Sequence, residues 1–320
     1  MQGISNQDTN HSWCITHALT PEDKKAMAGM RAMVEPNKGR MQGITARGPY
    51  DGILSRVVAP PGVTYEADTV GGIAGWWCRP DKFRTGEAIL HLHGGWFNWG
   101  SAQAFRHLVG YIAAHAGAAA FIPDYRLALE HPFPAAVDDV QACYRGMLER
   151  GVRKIAVTGD SAGGCLALLL LSSIVKQAPH NAVIPVGAVA LSPVTDLALT
   201  GASWQTRAAD DPFFTKSQVV ELVRSYLSNH EPTDPLASPL YDDPKDLPPI
   251  RVHVGEDEVL LDDSLRWVER AVAAGIDAKV DVWEGMAHGF LSSVGNMAAS
   301  NAALDAIGIF LTERLTAGNL

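Results

Sequence analysis

Residues 154–171, KIAVTGDSAGGCLALLLL, decide how the rest of the chain is read. Lys154 to Thr158 is short, apolar and bounded by turn residues, the composition of a buried strand. From Ala162 to about Val175 the leucine-rich run is long enough for a helix. Only Gly159-Asp160-Ser161-Ala162-Gly163 lies between them, so the backbone must reverse within a few residues. Glycines two positions either side of Ser161 remove the side chains that would collide in so sharp a reversal. Ser161 is then expected exposed at the strand's C-terminal end, beside helix N–H groups whose partial positive charge favours an anion.

Working outward from this unit, short apolar runs alternate with amphipathic segments from Ala88 onward, a pattern that places a mostly parallel sheet between helices. Strands are expected at Ala88 to Leu92, Ala118 to Ile122, Val183 to Leu191, Ile250 to Val254 and Ala278 to Trp283. Helices are expected from Ser101 to His115, from Pro134 to Gly151, from Asp262 to Ala274 and from Ala298 to Leu315. Two regions stand outside the alternation. In one, Thr20 and Pro21 open a helix through about Val34; in the other, Thr215 and Gln218 have capping-box spacing ahead of Val219, Leu222, Val223 and Tyr226. The chain therefore divides into helical covering segments, 1–45 and 199–240, and an α/β core, 46–198 and 241–320.

Composition narrows the function classes. With 320 residues, 47% hydrophobic and 19% charged, the chain is neither disordered nor fibrous. A net charge of −9 without a basic run argues against nucleic-acid binding. The longest apolar run, Cys165 to Leu171, is far below the roughly 18 to 20 residues of a membrane span. No basic segment followed by an apolar one opens the sequence, so a cytoplasmic address is the expectation. Cys14, Cys78, Cys143 and Cys165 are widely spaced and read as ordinary thiols. A homodimer is compatible with all of this.

A serine hydroxyl becomes a nucleophile only when a base removes its proton and a carboxylate orients that base. His288, in Gly285-Met286-Ala287-His288-Gly289-Phe290 after the last core strand, is the best-placed base. The acid falls in Gly255-Glu256-Asp257-Glu258-Val259-Leu260-Leu261-Asp262-Asp263, where five carboxylates leave the choice open. Backbone donors for an oxyanion are expected after the strand Ala88 to Leu92, in His93-Gly94-Gly95-Trp96. Gly95 and Ala162 come first, then Gly94 and Trp96. His91 and His93 lack a third nearby ligand and read as structural rather than metal-binding.

With these residues in place, the chain resembles the hormone-sensitive-lipase family of α/β-hydrolases, bacterial branch. The likeness is carried by HGGWFNWGS from His93, DYRLALEHPFPAAVDD from Asp124, GDSAGG from Gly159, LSPVTDL from Leu191, DPLASPLY from Asp234, EVLLDDS from Glu258 and GMAHGF from Gly285. It implies an α/β-hydrolase fold with a helical cap and a cofactor-free serine carboxylesterase acting through an acyl-enzyme. In that scheme Ser161 is the nucleophile, His288 the base and Glu258 the acid, with Asp257 one place out of register. Trp96 stands where the family has a third glycine, which suggests a preference for short acyl groups. Trp96, Phe97, Trp99, Trp204, Phe213 and Phe214 are candidate pocket or lid aromatics. The same machinery would serve a lactone or an amide. A catalytically silent ligand-binding protein is the competing class.

Overall fold

Residues 11–177 and 183–317 are described by the computed structural model. Among the described residues the strands are β1 (Cys14–His17), β2 (Val63–Val70), β3 (Ile73–Pro80), β4 (Glu87–Leu92), β5 (Ala119–Pro123), β6 (Lys154–Asp160), β7 (Gly187–Leu191), β8 (Ile250–Gly255) and β9 (Ala278–Trp283). They form one sheet in the order β1-β9-β8-β7-β6-β4-β5-β3-β2, antiparallel only where β3 meets β2 and β5. The helices are α1 (Pro21–Val34), α2 (Arg47–Leu54), α3 (Ala102–Ala116), α4 (Ala135–Glu149), α5 (Ala162–Gln177), α6 (Ser203–Thr206), α7 (Lys216–Leu227), α8 (Leu261–Ala273) and α9 (Ala298–Thr316).

Alternation along the strands builds two cores. Ile89, Ala120, Ile122, Ala156 and Val189 face a layer containing α3 and α9, while Leu90, Phe121, Ile155, Val157 and Ala190 face α4, α5 and α8. Because both faces are covered, the inner strands read as continuous apolar runs. Three expected caps are made. Thr20 Oγ1 accepts from Asp23 N at 3.1 Å, Ser101 Oγ from Ala104 N at 3.2 Å and Thr215 Oγ1 from Gln218 N at 3.3 Å. The Gln218 side chain does not complete the box; its Nε2 donates to Met41 O at 2.7 Å and ties the two covering segments together.

Several expectations change. Cys14–His17, placed by the sequence reading in a covering segment, is instead the parallel edge strand beside β9. The antiparallel β2–β3 pair and α2 are additional elements between residues 46 and 87. The strand expected from Val183 begins at Gly187, and residues 1–10 of the first covering segment lie outside the described residues. The loops leaving β4, β6, β7, β8 and β9 all emerge at the strands' carboxyl ends, where open parallel sheets build their sites.

Candidate active site

Ser161 sits between β6 and α5 with φ +55°, a left-handed backbone that serine adopts at a cost of about 1–3 kcal/mol. The surrounding structure enforces it. Ser161 N donates to Leu191 O at 2.7 Å, and Ser161 O accepts from Cys165 N and Val194 N at 3.1 Å each. Both flanking glycines are obligatory. A Cβ on Gly159 would lie 2.3 Å from Gly163 O, and one on Gly163 would lie 1.9 Å from Leu92 O. Expected to be exposed, Ser161 is instead only 2% accessible.

The loops after β8 and β9 bring Glu258 and His288 together. Glu258 Oε2 lies 2.7 Å from His288 Nδ1, while Oε1 accepts from Ser192 Oγ and Gly255 N, each at 2.7 Å. The carboxylate is fully buried, with both oxygens occupied. Burial opposes a charge on the His288 imidazole, but the Glu258 contact and the carboxylates of Asp211 and Asp160 outweigh it and raise the pKa above the ordinary value. Asp257 is not part of this pair; its Oδ2 binds Arg31 Nη2 of α1 at 2.5 Å.

Beside the turn, the β4 loop folds tightly. Trp99 N and Asn98 N both donate to Gly95 O, at 2.9 and 3.0 Å, and Trp96 and Phe97 take φ values of +53° and +59°. Gly94 is not a free donor: its N–H is committed to Asp160 Oδ1 at 3.1 Å, which removes it from the expected oxyanion set. Its missing side chain serves close approach, since a Cβ there would lie 3.1 Å from Ser161 Cβ. Among the described residues nothing accepts from the N–H of Gly95 or Trp96, and Ala162 opens α5 with its N–H outside the helical ladder. Asn98 anchors the loop from the cap side, donating to Trp96 O at 2.6 Å and Leu222 O at 3.2 Å, and accepting from Ser225 Oγ at 2.7 Å.

The candidate aromatics divide into two groups. Phe214 stands edge-on to His288 at 5.2 Å and to Trp96 at 5.5 Å, and Trp204 lies 6.4 Å from Trp96, so these three rings belong to the neighbourhood of the base. Phe97 instead stacks on Tyr226 at 3.7 Å and joins the core to α7. Trp99 donates its indole N–H to Gly43 O at 2.9 Å, and Phe213 packs against the α3–α9 core.

His91 Nδ1 pairs with Thr158 Oγ1 at 2.9 Å, and His93 stacks on Tyr125 at 4.3 Å, with burial lowering the His93 pKa. Among the described residues no group of three His, Cys, Asp or Glu side chains is arranged to hold a metal ion. The four cysteines are free thiols. None of the described helices is long and apolar enough to cross a membrane.

Comparison with known proteins identifies the fold and its family. A model of the alpha/beta hydrolase fold matches residues 89–292. A crystal structure of an esterase from the bacterial hormone-sensitive lipase family superposes with a TM-score of 0.86 at 35% identity, covering 93% of this chain and 100% of that one. The chain belongs to the alpha/beta hydrolase fold family and, within it, to the bacterial hormone-sensitive lipase family. An acetyl-hydrolase of Streptomyces hygroscopicus is 38% identical over 72% of this chain and 75% of its own length. An esterase of Acinetobacter venetianus is 37% identical over 64% of this chain and 67% of its own length.

The sequence reading assigned no role to Ser192, Asn98 or Asp211. Ser192 stood in the quoted LSPVTDL stretch, but its partner is 66 residues away. Nothing local marks Asn98, and Asp211 bonds Val259 N across 48 positions.

Proposed function

We propose that this chain is a serine carboxylesterase acting on small, short-acyl esters through Ser161, His288 and Glu258. Ser161 Oγ attacks the ester carbonyl as His288 accepts its proton, and Glu258 steadies the resulting imidazolium. The N–H groups of Gly95, Ala162 and Trp96 are the donors assigned to the oxyanion. His288 then protonates the departing alcohol, water adds to the acyl-enzyme with His288 again as base, and the carboxylic acid leaves. Besides the chain and the ester, the step sequence draws only on water. The observation that carries this reading is a strained serine at the β6–α5 turn in the same fold as a part-buried histidine held 2.7 Å from a fully buried glutamate.

Short acyl chains are assigned because Trp96 replaces a small residue beside the donors, and because the Streptomyces relative is an acetyl-hydrolase. The chain's net charge of −9 favours an uncharged small molecule over nucleic acid as its partner. The test combines fluorophosphonate labelling with turnover of p-nitrophenyl acetate, butyrate and decanoate. Labelling at Ser161 and turnover of the short esters are expected, both abolished in S161A. Folded protein that neither labels nor hydrolyses would overturn the proposal.

A further inference from the structure

We propose that Asp211 is a positioning residue through which the covering segment holds the Glu258–His288 pair in register. This rests on the reading of His288 as the base. Asp211 is fully buried, and both of its oxygens are used. Oδ1 accepts from Phe213 N and Phe214 N at 2.8 and 3.0 Å, a local turn that an aspartate makes on its own. Oδ2 leaves that turn and accepts from Val259 N at 3.0 Å, the peptide directly after Glu258.

The other side of Val259 is gripped by the same segment: Ser203 Oγ donates to Val259 O at 2.6 Å. Both backbone polar groups of the residue following the acid are therefore held by residues of 199–240. At its other end Asp211 fixes Phe214, whose ring lies edge-on to His288 at 5.2 Å. One carboxylate thus reaches the acid's loop and the base's neighbour together. Purely local turn formation would require only Oδ1. A buried carboxylate without a bonded cation is expensive to keep, and three N–H donors offset part of that cost.

His288 contacts Glu258 directly, and the charges of Asp211 and Asp160 also favour its protonated form. Removing the Asp211 charge makes the imidazolium less favourable, which lowers the His288 pKa and moves the acid limb of the pH–rate profile to lower pH.

Two variants separate these roles. D211N keeps the shape and removes the charge, and it also replaces one of the two accepting oxygens with an NH2 group. D211S retains a hydroxyl able to form the local turn but cannot reach Val259. In D211N we expect the His288 pKa, read by NMR titration of the imidazole, to fall together with the acid limb. In D211S we expect kcat to fall about tenfold or more with KM within about threefold, in protein that melts cooperatively. An unmoved His288 pKa in folded D211N, together with wild-type kcat in folded D211S, would overturn the proposal, as would losses that only track the folded fraction. The NMR titration needs no turnover, so a wild-type protein inactive on esters would sink the proposed function without deciding this result.

Discussion

Arg31 Nη2 of helix α1 binds Asp257 Oδ2 at 2.5 Å, so of two consecutive carboxylates one is taken by the N-terminal covering helix while the other, Glu258, engages His288. Asp257 and Arg31 are each about one-fifth accessible, a setting in which an ion pair contributes about 1 kcal/mol or less. D257N should therefore retain kcat within a few-fold. E258Q should lose about three to four orders of magnitude, by analogy with triads in which the acid's charge fixes the histidine tautomer. Steady-state kinetics on p-nitrophenyl butyrate checks both; equal losses would remove Glu258 from its assigned role.

The pH dependence follows from the raised His288 pKa. A general base must be neutral in the free enzyme, so kcat/KM falls as pH drops through that pKa, and the limb should be centred above the ordinary imidazole value of about 6.5. Removing the Glu258 charge takes away the main cause of the rise. The residual activity of E258Q should accordingly titrate at lower pH, as a pH–rate profile of both proteins would reveal.

Ser192 is the side-chain donor to Glu258 Oε1, at 2.7 Å, with its own backbone at φ +45°. A buried hydrogen bond to a charged acceptor is worth about 1.5–3 kcal/mol. S192A should lower kcat about tenfold and reduce the melting temperature measurably, while Ser161 still labels with a fluorophosphonate. Wild-type kcat in S192A would show that the Gly255 N–H alone suffices to hold that oxygen.

Trp96 tests the acyl-length assignment. Its φ of +53° suits glycine better than tryptophan, so W96G relieves backbone strain while losing a buried indole. Deleting a large buried aromatic costs about 3–5 kcal/mol, so a lower melting temperature is expected. The rate on decanoyl relative to butyryl esters should rise in W96G. A ratio unchanged in folded variant would mean that the indole borders no acyl space.

Much of this fold was legible because its signals are local. The apolar runs of β4 to β9, the Thr20, Ser101 and Thr215 caps, and the glycines around Ser161 each act within a few residues. The β2–β3 hairpin carries a local signal of its own: Gly71-Gly72, both at positive φ, join Val70 to its partner Ile73, the geometry of a two-residue hairpin turn. By contrast, β1 has four residues and pairs only with β9, far along the chain, so CITH alone gave no reason to place it in the sheet.

By itself the sequence determined the turn that carries Ser161, singled out His288 and gave a short list of carboxylates, since strand, reversal and helix are specified by neighbouring residues. Only the tertiary structure gave Glu258 rather than Asp257 to His288, bonded the Gly94 N–H to Asp160 and brought Asp211 and Ser192 to the loop of Glu258. Each of those outcomes depends on which buried polar group finds which partner across 30 or more residues. Hydrogen bonding in a dry interior is satisfied by proximity in space, which local pattern does not encode.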